Sequence, residues 1–337
     1  MQKRLYNSIS TCLVIVTLIV IFSYLKQAGN KFFISPTARA SKEGLSKDRE
    51  KFFKETYKKT LVRSYEFDSK RSFIEPDSPN TSEDLPWIHA KNSLSVDINS
   101  DKILFERDSK KRVPIASLTK IMTAVVALEH KDLKDKITVS SKAASTGENS
   151  MGISEGEVYT LEDLLYGLVL HSGNDAAVAI SEGAAGSEEN FVYWMNLKAA
   201  ELGLEDTKFT DPSGLNDKTY SSAYDLAKLT KYALKNPDFK KIVGTIDYEI
   251  PFSEKEHKHL SLLNQTNLLR TYPGVKGVKI GYTEAAQLCL VTYAENEGRE
   301  IVSVVLQSDA RKTDMIQLLD YSFEKFGIKI SHPLLDF

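Results

Sequence analysis

The sequence predicts an α+β fold: an antiparallel sheet built from N- and C-terminal strands, with a helical lobe inserted between them. Three observations predict it. Short alternating segments at 93–98 and 102–106 flank Asn99-Ser-Asp101 and read as a hairpin, and similar segments recur late, at 277–282, 288–294 and 300–307. Between the two groups the apolar period changes to that of helices, at 118–130, 161–170, 175–182, 189–202 and 223–234. A last helical run, 312–326, follows the final strand. Strands at both ends bury their apolar faces best by pairing with each other, and the intervening helices then pack as a lobe beside the sheet.

At the N-terminus, Lys3 and Arg4 precede an apolar run from Cys12 to Leu25, the pattern of a signal peptide or signal anchor over residues 1–30. Ala38-Arg-Ala40 resembles a cleavage site but lies well beyond the run, which favours an uncleaved anchor. Either way the remainder is exported, so the expected location is the cell membrane with the folded part on the extracytoplasmic side, or secretion if the segment is cleaved. Residues 31–84 read as a charged linker or stalk, rich in Lys, Asp, Glu and Ser from about Ser41 to Glu83. Within it Phe53, Tyr57, Leu61 and Tyr65 recur every four residues, which suits a narrow helix in a solvated spacer. Ser78-Pro-Asn-Thr-Ser82 reads as loop. The folded domain is expected over 85–337. A net charge of −2 gives no electrostatic case for nucleic acid as a partner. The two cysteines, Cys12 and Cys289, are not expected to pair, because Cys12 lies in the apolar run.

Candidate chemistry sits at three places. Ser117-Leu-Thr-Lys120 heads the first helix, and a Ser and a Lys three residues apart share a helix face. A serine hydroxyl becomes a good nucleophile once a neutral amine takes its proton, and burial lowers a lysine pKa towards that state. The plain alternative is Ser117 as a helix cap with Lys120 in solvent. Ser172-Gly-Asn174 suits a tight turn presenting a hydroxyl and an amide to a cleft; Ser172, Asn174 and Asp175 would equally serve as helix caps. Lys279-Ile-Gly281 lies on a strand, where a glycine often marks close approach of another backbone or a ligand. The histidines show no metal-ligand spacing, and no metal or other cofactor is expected.

A Ser-x-x-Lys helix, a Ser-x-Asn turn and a Lys-x-Gly strand in that order resemble the motifs of serine penicillin-recognising enzymes. The surrounding residues narrow the resemblance. Pro114-Ile-Ala-Ser-Leu-Thr-Lys-Ile-Met-Thr-Ala124, Leu170-His-Ser-Gly-Asn-Asp-Ala-Ala177, Phe209-Thr-Asp-Pro-Ser-Gly-Leu215 and Gly274-Val-Lys-Gly-Val-Lys-Ile-Gly-Tyr-Thr283 look like the D-alanyl-D-alanine carboxypeptidases, the low-molecular-weight penicillin-binding proteins. The resemblance implies a β-lactamase/transpeptidase-like fold. It also implies removal of the terminal D-alanine from peptidoglycan stem peptides ending in D-Ala-D-Ala, with β-lactams as covalent inhibitors. By the same resemblance Ser117 attacks the carbonyl and Lys120 is its base. Ser172 passes a proton to the leaving D-alanine, Asn174 orients Lys120 and substrate, and Lys279 supplies positive charge beside Ser172 and the substrate carboxylate. The backbone N–H groups of Ser117 and Tyr282 make the oxyanion hole, and Gly281, Tyr282 and Thr283 line the substrate strand.

Two residues depart from the family pattern. Ile280 replaces a Thr or Ser whose hydroxyl is associated with binding the substrate carboxylate, and Gln287 replaces a common Gly. A slower enzyme or altered carboxylate recognition is expected. The competing reading is a catalytically weakened peptidoglycan-binding homologue. A β-lactamase is disfavoured because Pro212 stands where the common class places the Glu of its Glu-x-x-Leu-Asn motif before Leu215-Asn216. Acceptor choice between water and an amine depends on cleft shape.

Overall fold

The computed structural model describes residues 36–75 and 85–332. The apolar run and the 78–82 loop lie outside the described residues. Among those described, no helix is long and apolar enough to cross a membrane.

The hairpin strands β1 (Asn92–Asp97) and β2 (Lys102–Arg107) and the late strands β3 (Val275–Thr283), β4 (Gln287–Asn296) and β5 (Arg299–Ser308) form a five-stranded sheet in the order β2-β1-β5-β4-β3. The first strand pairs antiparallel with the last, Val96 opposite Val302, so the two ends of the folded chain close the sheet as expected. Strand alternation decides what each face carries. On β5, Val302, Val304 and Leu306 enter the core shared with the helical lobe, whereas Ile301 and Val305 pack with Met315, Leu318, Leu319 and Phe323 of the last helix, α7 (Arg311–Glu324). Ser95 Oγ lies 2.8 Å from Ser303 Oγ and 2.6 Å from Ser322 Oγ, so the polar side chains buried under α7 satisfy one another.

The lobe holds α2 (Lys120–His130), α3 (Leu161–Leu170), α4 (Asn174–Ala185), α5 (Glu188–Glu201) and α6 (Ala223–Ala233). Thr160 and Asp163 form a reciprocal capping box that starts α3, and Gly186 in the left-handed region ends α4. A smaller antiparallel hairpin pairs Asp247–Ile250 with Leu260–Leu263.

The solvated-spacer expectation needs correction from Phe53 onwards. Helix α1 spans Pro36–Thr60, and residues 53–337 cluster as one compact unit. Phe53 and Tyr57 are buried because the lobe offers them aromatic partners: Tyr193 at 5.5 Å from Phe53, and His130 at 4.7 Å from Tyr57, ring centre to ring centre. Trp194 stacks on His130 and donates from Nε1 to the Phe53 carbonyl at 3.1 Å. Burial, reinforced by the Lys198 cation, pushes the His130 imidazole down to about 4, so at neutral pH it packs as an uncharged ring. After the helix, Phe73 buries against Tyr224, and Ile74 exchanges backbone bonds with the start of β2. The helix ends at Thr60 and Leu61 is 38% exposed, so the four-residue period describes a helix only as far as Thr60.

Candidate active site

Ser117 lies in a 3₁₀ turn, Ala116–Thr119, at the head of α2 rather than capping it; neither helix start has a side-chain cap. Ala116 adopts φ 47°, and Thr119 Oγ1 donates to its carbonyl at 2.8 Å. The turn is pinned from outside by Gly214, where a Cβ would come within 1.9 Å of the Ala116 oxygen, so glycine alone fits there. On the other side Gly281 of β3 approaches so closely that a Cβ would stand 3.1 Å from the Ile115 oxygen and 3.2 Å from the Ser117 nitrogen. The strand glycine marks an approach of two backbones, as its place in a strand suggested.

Lys120, the first residue of α2 and one turn beyond Ser117, is fully buried. Its Nζ donates to Ser117 Oγ at 2.9 Å, to Asn174 Oδ1 at 2.7 Å and to the Ser213 carbonyl at 2.7 Å. An ammonium with these partners but little solvent loses most of its hydration, and burial lowers the Lys120 pKa to about 7 against the opposing pull of Asp211, Asp175 and Glu148. Near neutrality, then, much of this lysine is free amine, with a serine hydroxyl in hydrogen-bond reach.

The partners of Lys120 are themselves held by two buried aspartates whose importance the sequence did not disclose. Asp175 accepts from Ser150 Oγ and from the backbone N–H groups of Met151, Gly152 and Ile153, fixing the segment over Asn174. Asn174 donates from Nδ2 to the Gly147 carbonyl at 3.2 Å, which leaves its Oδ1 facing Lys120. Asp211 accepts from Ser213 N at 2.8 Å and from Gly214, Leu215 and Asn216 N–H groups, shaping the loop that presents the Ser213 carbonyl.

Ser172 lies in the turn between α3 and α4 at φ 57°, and its buried Oγ has no hydrogen-bond partner among the described residues. Lys279 is buried as well; its Nζ donates to the Ile280 carbonyl at 3.3 Å. Burial first, and the Lys120 and Arg311 cations second, hold its pKa well below the ordinary lysine value. Strand register separates neighbours: Lys279 and Gly281 pair with Val291 and Cys289, which lie in the core shared with the helical lobe, whereas Ile280 pairs with Leu290 on the α7 side. Tyr282 is 61% exposed at the strand edge, and Thr283 Oγ1 donates to Asp217 at 2.8 Å. Gln287 adopts φ 56°, the conformation a glycine would take without strain. Arg311, at the head of α7, donates from Nη1 to the Gly281 carbonyl at 2.9 Å; one arginine in a polar segment gave no signal in the sequence.

A family model for D-alanyl-D-alanine carboxypeptidase matches residues 79–310. The chain belongs to that family. DacF of Bacillus subtilis (strain 168), a D-alanyl-D-alanine carboxypeptidase, is 38% identical over 273 residues, covering 78% of this chain and 68% of the relative. The D-alanyl-D-alanine carboxypeptidase of Streptomyces sp. (strain K15) is 31% identical over 73% of this chain and 91% of its own length. Among solved structures, the Streptomyces K15 DD-transpeptidase superposes with a TM-score of 0.68 at 30% identity, covering 71% of this chain and 98% of that one. The D-alanyl-D-alanine carboxypeptidase from Mycobacterium tuberculosis H37Rv gives 0.69 at 31% identity, over 74% and 96%. The fold is therefore that of the carboxypeptidase family, the β-lactamase/transpeptidase-like arrangement that the motif order implied.

Proposed function

We propose that this carboxypeptidase removes the terminal D-alanine from peptidoglycan stem peptides through an acyl-enzyme on Ser117. The observation that carries the residue assignment is the position of Lys120: a buried amine, pKa about 7, placed 2.9 Å from Ser117 Oγ. Neutral Lys120 takes the Ser117 proton as Oγ attacks the carbonyl of the D-Ala-D-Ala bond. The oxyanion is met by the N–H groups of Ser117 and Tyr282, brought together by the close approach of Gly281 to the 3₁₀ turn. As the bond to nitrogen breaks, the leaving amine takes a proton relayed from Lys120 through Ser172, whose unpartnered Oγ is available for that bond. Asn174, held through Gly147, keeps the Lys120 amine aimed at Ser117. A substrate carboxylate near Lys279 and Arg311 would favour the charged form of Lys279, so substrate itself supplies the counter-charge that burial withholds. Water then hydrolyses the ester. β-Lactams, which present a strained amide to the same serine, acylate it and block the cycle.

The apolar segment at 12–25 supports tethering to the cell membrane, with residues 53–337 working outside the cytoplasm. The competing reading of a weakened binding module fits less well, because Ser117, Lys120 and Asn174 retain a connected hydrogen-bond network.

Incubating the full-length protein with a labelled penicillin should place the label on Ser117 by peptide mass spectrometry, and a D-Ala-D-Ala peptide should yield free D-alanine. Labelling elsewhere, or none together with no release, would overturn the assignment. The Ile280→Thr variant is expected to acylate about ten- to a hundredfold faster on peptide, the value of one hydrogen bond to a charged carboxylate. Stopped single-turnover acylation measures this directly, and an unchanged or lower rate would refute it.

A further inference from the structure

On the α7 side of β3, next to the site, lies a cavity of about 290 Å³. Its apolar wall is Leu268, Ile280, Leu288 and Leu290, and its polar rim includes Gln265 and Arg311. Two residues of its rim fix its position relative to the chemistry. Gln265 is tied to the turn that carries Ser172, its N–H donating to the Leu170 carbonyl at 3.1 Å and its Nε2 to the His171 carbonyl at 3.4 Å. Arg311 is tied to Gly281, whose backbone abuts the Ser117 nitrogen. The cavity thus adjoins both the group assigned to protonate the leaving amine and the strand beside the nucleophile.

From this placement we propose that the cavity is the subsite for the side chain of the leaving residue, and that it selects C-terminal D-residues with an aliphatic chain longer than methyl, such as D-leucine or D-methionine. The inference rests on the carboxypeptidase reading above. The leaving residue carries its amine towards Ser172 and its carboxylate towards the Arg311 guanidinium, which leaves its side chain to face the wall of Ile280, Leu288 and Leu290. A methyl group leaves most of that wall in contact with water, whereas a longer chain removes both surfaces from water. Ile280 gives this subsite its character, because a hydroxyl at that position would interrupt the apolar wall with a group demanding a partner. Added methylenes in a hydrophobic pocket are worth roughly tenfold or more in kcat/KM.

The test compares release of the C-terminal residue by the full-length protein from matched peptides ending in D-Ala-D-Ala, D-Ala-D-Leu and D-Ala-D-Met. The expected result is a kcat/KM about tenfold higher for the longer residues. Leu288→Phe, which fills the cavity, should bring that ratio close to one, with penicillin labelling of Ser117 reporting that the variant is folded. If Leu288→Phe fails to label, Thr313→Phe at the exposed rim carries the same comparison. A wild-type ratio of one or below, with D-alanine released normally, overturns this inference and leaves the carboxypeptidase reading standing. A high ratio that neither substitution moves overturns the location. No release from any peptide overturns both.

Discussion

Lys120→Met is expected to lower acylation by about 10³-fold or more, the usual worth of a positioned general base. The wild-type rate should rise with pH through about 7 and level off above, because the reactive form is the neutral amine and burial places its pKa there. The sign matters: a lysine acting through its positive charge would give the opposite limb, with activity falling as the proton leaves. Methionine fills much of the same buried volume but neither accepts a proton nor donates to Ser117, so the rising limb should vanish with the rate. Lys120→Arg separates base from charge, since arginine keeps the cation and cannot be deprotonated at these pH values. Acylation rates from pH 5 to 9 for the three proteins, with circular dichroism to verify folding, decide the matter. A Lys120→Arg enzyme with near-normal rates would sink the general-base assignment.

The sheet was legible because its strands alternate cleanly and its helices keep their period. The predicted 161–170 helix is observed as Leu161–Leu170, and the late strands extend their predictions by one or two residues at each end. The three motifs were legible because the order of residue types along the chain is informative even when each spacing alone is common. The supporting layer was not. Asp175 and Asp211 act by gathering backbone N–H groups from segments distant in sequence or folded back on themselves, and no spacing of residue types announces such a role. The docking of Phe53 and Tyr57 depends on Trp194 and His130, far along the chain, so a charged, locally solvated sequence concealed a packed segment. Arg311 and the cavity beside Ile280 depend on the register of β3 and β4, which places Ile280 beside Leu290 on the face opposite Lys279.

That supporting layer has a measurable worth. Asp211→Ala is expected to destabilise the protein by about 3 kcal/mol, as several buried backbone donors lose a charged acceptor at once. Its effect on catalysis should exceed what unfolding explains. The loop it shapes places the Ser213 carbonyl 2.7 Å from Lys120 Nζ and the Pro212 carbonyl 2.6 Å from Thr123 Oγ1, so release of the loop misplaces the base. A displacement of about 1 Å at such a site costs about a hundredfold. Asp211 is also the largest influence raising the Lys120 pKa against burial, so its removal lets that pKa fall further. In the variant the rising limb should therefore move below about pH 7, a shift that mere instability would not produce. Asp211→Asn keeps an acceptor without the charge; it should recover part of the melting temperature while leaving the limb displaced. Calorimetric melting and the pH profile of penicillin acylation test the two effects separately. A variant that melts like the wild type and keeps its limb at pH 7 would show that the loop holds Lys120 without Asp211.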